Sequence, residues 1–202
     1  MLEVITGCMY SGKSEELIRR LRRCQIADQF TLVMKPAIDD RYSADSVATH
    51  VGGSLKAVAV KDVQDVKRLL CAQPFFMTGQ VVGLDEVQFL DDEIVDVLEA
   101  EANRGRRVIV AGLDLDSDGN PFGPMARLLA VADKVTKLTA VCVARLFITR
   151  GLPSARGQGD VCGKPATRSY RLPNQDTGEQ VQVGSDGVYE ARCRVCWARM
   201  QG

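Results

Sequence analysis

Leu2-Glu3-Val4-Ile5-Thr6-Gly7-Cys8-Met9-Tyr10-Ser11-Gly12-Lys13-Ser14 opens the chain, and the reading of this stretch decides the fold. Leu2 to Thr6 is an apolar, β-prone run. Gly7 to Ser14 satisfies the phosphate-loop pattern G-x-x-x-x-G-K-[ST], and Glu15 to Ala27 carries helical periodicity. The glycines let backbone N–H groups turn inward around an anion. Lys13 adds a point charge for the β and γ phosphates, and the Ser14 hydroxyl suits Mg²⁺. The helix that follows presents its positive end to the same anion. A nucleoside triphosphate is the expected ligand, with Gly7, Met9, Tyr10, Ser11, Gly12, Lys13 and Ser14 around it.

Outward from the loop, helical spacing puts Leu17, Leu21 and Cys24 on one face with Ile18 beside them. Arg19, Arg20, Arg22 and Arg23 fall largely elsewhere and read as a solvated face. Phe30–Met34 reads as a second strand, followed by a polar, proline-interrupted loop from Lys35 to Tyr42. Ala57–Val60 reads as a short strand, and Asp62 as the cap of a helix running to about Ala72. Val81-Val82-Gly83-Leu84 is a buried strand by composition, closed by the acids Asp85-Glu86. Asp91 or Asp92 caps the next predicted helix, where Ile94, Val95, Leu98 and Ala102 share a face. Arg107–Gly112 reads as another apolar strand. Strands separated by helices imply an α/β fold with a mainly parallel sheet flanked by helices, of the P-loop NTPase type. In such sheets ligands gather at the carboxyl ends of the strands. Gly7–Ser14, Asp85-Glu86 and Asp114 all fall there.

The chain has 202 residues, enough for one medium domain with a small appendage. Its hydrophobic share of 46% permits a substantial core. Basic and acidic residues number 26 each, so no global charge points to nucleic acid or to an anionic membrane. No apolar run reaches membrane-spanning length, and the N-terminus enters a strand rather than a signal peptide. A cytoplasmic location is the expectation, and seven cysteines in that setting argue for reduced thiols or a metal. From about Thr139, Gly, Pro and polar residues increase and helical periodicity fades. The expected organisation is a nucleotide-binding domain over 1–138 and a second, smaller domain over 139–202.

Phosphoryl transfer needs Mg²⁺ and a group that orients or deprotonates the nucleophile. Asp85, closing an apolar strand, suits the magnesium side. Glu86 is then free to act as a general base, although spacing alone equally allows a surface cap or ion pair.

Gly7 to Leu17, Asp39-Asp40-Arg41-Tyr42-Ser43, Thr49-His50, Asp85-Glu86-Val87-Gln88-Phe89, Ala111-Gly112-Leu113-Asp114, Pro121-Phe122-Gly123 and Lys137-Leu138-Thr139-Ala140-Val141-Cys142 follow one another over nearly the whole chain. In that order they resemble the successive motifs of the cytosolic-type (type II) thymidine kinases. The resemblance implies transfer of the ATP γ-phosphate to the 5′-hydroxyl of thymidine. It makes Glu86 the catalytic base, assigns Asp85 and Ser14 to magnesium and Lys13 to the phosphates, and puts Arg41 near them. It further implies that Met9, Phe89, Leu113 and Phe122 line the nucleoside pocket. His50 matches a family position too, but by residue type alone it reads as a structural histidine. Ser117 departs from the family, which usually has an aromatic residue there to pack on the pyrimidine. Loss of that stacking costs on the order of 1–3 kcal/mol.

Cys193-Arg194-Val195-Cys196 is a C-x-x-C pair, and a tetrahedral zinc site needs two more ligands. Removing Ala144 to Asp160 from the sequence leaves Cys142-Val143-Val161-Cys162, a second such pair. The segment from 144 to 160 then reads as an insertion in a zinc ribbon held by Cys142, Cys162, Cys193 and Cys196. Loop-closure entropy grows slowly with length, so the insertion is compatible with the site. Four thiolates leave no open position, so this zinc is structural. Cys8, Cys24 and Cys71 lie outside the pattern and read as core or loop thiols. The segment between the ligand pairs resembles the family's lasso, a loop that closes over thymidine. Ser169 stands where the family commonly has Thr, Val181 and Val183 match its V-x-V, and Tyr189 matches its tyrosine near the third ligand, so the resemblance makes these four the substrate-binding positions of the lasso.

The resemblance also implies a homotetramer inhibited by the end product dTTP, with no membrane or nucleic-acid partner. Two other readings compete. Ser117 prompts a kinase of the same fold for another nucleoside, such as deoxyuridine. A zinc ribbon beside an NTP site prompts an NTP-driven nucleic-acid-binding module, against which the neutral charge and the lack of a basic, aromatic-interleaved stripe weigh.

Overall fold

A computed structural model describes residues 1–38, 46–48, 54–72, 80–146, 160–173 and 187–199. Arg41, His50, Val181, Val183 and most of the 144–160 insertion lie outside the described residues. β1 (Leu2–Thr6) leads into α1 (Lys13–Ile26) and β2 (Thr31–Pro36). An antiparallel pair follows, β3 (Ser46–Ala48) with β4 (Ser54–Lys56), then β5 (Val58–Val60) and α2 (Val63–Ala72). β6 (Val81–Leu84), a 3-10 turn at Val87–Phe89, α3 (Glu93–Asn103), β7 (Arg107–Gly112), α4 (Met125–Val131) and β8 (Lys134–Lys137) come next. The remainder is built from short pieces: β9 (Ala140–Val141), β10 (Arg145–Leu146), β11 (Asp160–Val161), β12 (Pro165–Ala166), β13 (Arg168–Arg171), β14 (Tyr189–Arg192) and α5 (Arg194–Ala198).

Six strands form one sheet in the order β5-β2-β6-β7-β1-β8, and every pairing in it is parallel. The fold is thus the α/β type that the alternation implies. The strands β1, β6 and β7 are covered on both faces, which is why they read as near-continuous apolar runs. Side chains alternate between the faces. Ile5, Val33, Val81, Ile109 and Ala111 pack against Leu17, Leu21 and Cys24 of α1. Leu2, Val4, Leu84, Val108 and Val110 face the other way, onto α2, α3 and α4 through Val66, Ile94, Leu98, Met125 and Leu128. Each fully buried aliphatic side chain contributes roughly 1.5–3 kcal/mol by leaving water.

β6 and β7 occupy the ranges expected from sequence, and Asp62 caps α2 by accepting from the Asp65 amide at 2.9 Å. α4 and β8 were not anticipated; both are short and weakly patterned. The arginine run needs a correction. Arg20 is not on a solvated face: its side chain is buried, donating to Glu3 at 2.6 Å, to Glu16 at 2.7 Å and to Thr136 at 2.8 Å. Glu3 points from β1 toward α1, and its carboxylate also accepts from Arg107 at 2.6 Å. Arg20 stands three residues after Leu17 and four before Cys24, so it lies on the buried face of the helix rather than outside it. Residue type alone suggests solvent there, and it does not show that the sheet supplies a buried carboxylate under that position.

Beyond the sheet, β9 pairs with β12, β10 with β11 and β13 with β14, all antiparallel. The arms carrying Cys142 and Cys162 are bonded on both sides of the cysteines. The Cys142 amide donates to Lys164 O at 2.8 Å, the Gly163 amide to Cys142 O at 3.0 Å and the Cys162 amide to Ala144 O at 2.8 Å. Arg145↔Val161 and Leu146↔Asp160 then continue the ladder. The inserted segment therefore leaves and rejoins the ribbon as two paired strands.

Candidate active site and cysteine cluster

The phosphate loop turns off the carboxyl end of β1, where the Thr6 hydroxyl donates to Gly112 O at 3.0 Å. Only glycine fits at position 7: φ is 149°, and a Cβ there would stand 2.5 Å from the Leu138 carbonyl oxygen. Lys13 is the first residue of α1 and is buried, its Nζ donating to Cys8 O at 3.1 Å. Ser11 Oγ is buried with no hydrogen-bond partner among the described residues. A buried ammonium on a neutral carbonyl, an unsatisfied hydroxyl and a helix N-terminus together fit the phosphates of a nucleotide.

β7 lies between β1 and β6, yet the two outer strands bring their loops together. Asp85 follows β6 directly and is buried beside Glu86, whose amide donates to the Asp85 carboxylate at 3.0 Å. Burial, then the Glu86 charge, pushes the Asp85 carboxyl up to about 7, with a hydrogen bond from Ser14 and the Lys13 charge pulling partly back. The carboxylate–hydroxyl pair suits a divalent cation, which would favour the charged form.

Glu86 adopts the left-handed conformation, φ 50° and ψ 40°, and is buried, which rules out the surface-cap reading. Such strain in a residue with a side chain is concentrated at functional sites. Gln88 Nε2 donates to Glu86 Oε2 at 2.6 Å, while Gln88 Oε1 accepts from the Leu113 amide at 3.1 Å. Next to this pair, Phe89 and Phe122 meet edge to face with centroids 5.6 Å apart. Leu113 is buried, and the Phe122 amide donates to Asp114 O at 3.1 Å.

The C-terminal region closes on the phosphate loop. The Met9 amide donates to Ser169 Oγ at 3.0 Å, and the Tyr10 hydroxyl to Tyr189 O at 3.3 Å. Cys8 Sγ donates to Ala166 O at 3.3 Å, and burial raises its thiol pKa. Cys8 packs in one apolar cluster with Cys142, Cys193 and Cys196. A boundary near Leu138 in the sequence thus has tight contacts running across it.

The four expected ligand sulfurs, of Cys142, Cys162, Cys193 and Cys196, all lie within 4.8 Å of one another. Cys162 and Cys193 are 3.9 Å apart. Zinc–sulfur bonds of about 2.3 Å in a tetrahedron put sulfurs about 3.8 Å apart, so the donor set fits zinc. Against the burial that raises it, neighbouring thiols and the Cys196 amide bring Cys193 to about 7. Burial, then the thiols of Cys193, Cys162 and Cys142, send Cys196 to about 12.

The structure brings together Lys13, Ser14, Asp85 and Glu86; Met9 with Ser169; Tyr10 with Tyr189; Phe89 with Phe122; and the four cysteines. Sequence reasoning gave no role to Gln88, although it stands inside the quoted D-E-x-Q-F motif. It also missed the ion pair between Lys137 and the buried Asp114, 2.6 Å long. No helix among the described residues is long and apolar enough to cross a membrane. A family model described as thymidine kinase matches residues 1–146. That match covers the phosphate loop, the acid pair and the Phe89–Phe122 contact. The chain belongs to the thymidine kinase family.

Proposed function

We propose that this protein transfers the γ-phosphate of ATP to the 5′-hydroxyl of thymidine, giving dTMP and ADP. The observation that carries the reading is the convergence of Lys13 and Ser14 from one strand end with Asp85 and Glu86 from another. Lys13, Ser11 and the N-terminus of α1 hold the phosphates, with Arg41 assigned beside them. Asp85 and Ser14 would hold Mg²⁺, which would supply neutralisation of charge on the phosphates. Glu86, oriented by Gln88, accepts the proton of the 5′-hydroxyl as that oxygen bonds to the γ-phosphorus and ADP leaves. Met9, Phe89, Leu113 and Phe122 take the nucleoside, and Ser169, Val181, Val183 and Tyr189 close over it from the lasso.

The cysteine cluster holds a structural zinc in this reading. Residues 139–202 act as a ribbon-and-lasso domain on the kinase domain of 1–138. A cytoplasmic homotetramer inhibited by dTTP follows from the family resemblance. Ser117 favours a second reading, a looser base preference that includes deoxyuridine. A labelled-ATP assay against a panel of free nucleosides tests both. Transfer to thymidine in preference to the others supports the first, and equal use of deoxyuridine supports the second. ATP hydrolysis stimulated by DNA, with no nucleoside labelled, would instead establish a nucleic-acid-binding module.

A further inference from the structure

Trp197 is the only tryptophan in the chain. It stands directly after Cys196 in α5, and its amide donates to Cys193 O at 2.9 Å. Its indole reaches away from the cysteines to the loop between Asp114 and Phe122. There Nε1 donates to Ser117 O at 3.1 Å. The ring lies so close to Gly119 that a Cβ at that position would stand 2.9 Å from the indole, and φ at Gly119 is 86°. No residue but glycine suits both demands. The Arg168 guanidinium, on β13, lies 5.8 Å from the ring centroid. Three elements therefore meet at one side chain: the cysteine knuckle, the lasso strand and the 115–121 loop.

That loop is stiff in itself. Leu115 bridges Pro121, and the Asp116 carboxylate accepts from the amides of Asp118 at 3.0 Å and Asn120 at 2.9 Å. A stiff loop transmits the position of its support to its ends, and its ends are Asp114, next to Leu113, and Phe122. The loop also carries Ser117 where an aromatic residue is expected. Trp197 brings aromatic surface to the same loop from another element, through a backbone carbonyl that any residue at 117 would offer.

We propose that Trp197 is a positioning residue for nucleoside recognition: it anchors the 115–121 loop and thereby sets Leu113 and Phe122 against the base. The inference rests on the nucleoside pocket proposed above. The contacts of Trp197 described above are with Ser117, Gly119, Arg168 and Cys193 and not with the phosphate loop or Glu86, so it acts on nucleoside affinity rather than on ATP affinity or turnover.

Steady-state kinetics of full-length wild type, Trp197→Phe and Trp197→Leu, with metal analysis of each, test this. Phe keeps a ring against Gly119 and Arg168 but loses the hydrogen bond to Ser117; Leu loses both. The thymidine KM should rise about 3-fold in the Phe variant and about 10-fold in the Leu variant, with KM for ATP and kcat within about 2-fold. All three proteins should keep their zinc. Wild-type emission, which reports this one indole, should change on adding thymidine without ATP. An unchanged thymidine KM in Trp197→Leu, an ATP KM rising in step with it, or loss of zinc from the Phe variant overturns the inference while leaving the kinase reading intact. Failure of the wild type to phosphorylate any nucleoside overturns that reading, and the inference with it.

Discussion

Glu86 accepts a 2.6 Å hydrogen bond from Gln88, whose other amide atom is tied to the backbone of Leu113. The carboxylate proposed as base and the wall of the proposed nucleoside pocket are thus held by one side chain. A base misplaced by even a fraction of an ångström loses much of its effect.

Gln88→Ala should therefore lower kcat by about 10-fold or more with little change in the ATP KM. Glu86→Gln should cost on the order of 10²-fold or more while the fold and ATP binding persist. Steady-state kinetics and nucleotide titration read both. Near wild-type turnover in Glu86→Gln would remove Glu86 as the base.

The buried pair under α1 makes a pH prediction. Hydrogen bonds from Arg19, opposed by partial burial and reinforced by Arg20, bring Glu16 down to about 2 from 4.5. Burial works against Glu3, yet Arg107 and Arg20 together hold its carboxyl below the usual range. Carboxylates with depressed folded-state pKa values stabilise the fold above their unfolded pKa, and that contribution is lost as pH falls. Melting temperature should hold near neutrality and drop from about pH 4.5 toward 2, with a shallower drop in Glu16→Gln. Arg20→Met, which strips one partner from buried Glu3, should cost about 3 kcal/mol at neutral pH by denaturant unfolding. An unchanged midpoint would mean that Arg107 alone compensates Glu3.

Metal analysis should give one zinc per chain. Cys193→Ser or Cys196→Ser should release it and destabilise the C-terminal region. Because Met9 and Cys8 lean on β13 and Ala166, the effect should extend to the phosphate loop and weaken ATP binding measurably. Full ATP affinity in zinc-free protein would show that those contacts do not transmit the loss.

Deleting Ala144 through Asp160 should leave zinc content intact, since the hydrogen bonds of Cys142 to Lys164 and Gly163 lie on the retained side. Kinase activity should persist if the segment is an excursion from the ribbon. A change in subunit number on size-exclusion chromatography would instead assign the segment to a subunit contact. Loss of zinc would show that the deletion limits, or the choice of ligands, are wrong.

Local chemistry written in short stretches of sequence determined the phosphate loop, the strands bearing it and the acid pair, and the parallel α/β class. Glycine spacing, a lysine and β-branched runs act within a few residues of one another, so a linear reading captures them. The four cysteines were legible as well, once the insertion was recognised, because thiolate chemistry limits what such a set can hold. Only the tertiary structure decided that Arg20 is buried on Glu3, that Gln88 holds Glu86 and that Cys8 packs in the cysteine cluster. It alone brought Trp197 beneath the 115–121 loop. Each of these depends on a partner far away in the chain, supplied by strand order and by the docking of the C-terminal ribbon. Residue type and local period carry no record of such a partner, because burial and pairing arise only when distant segments exclude water together.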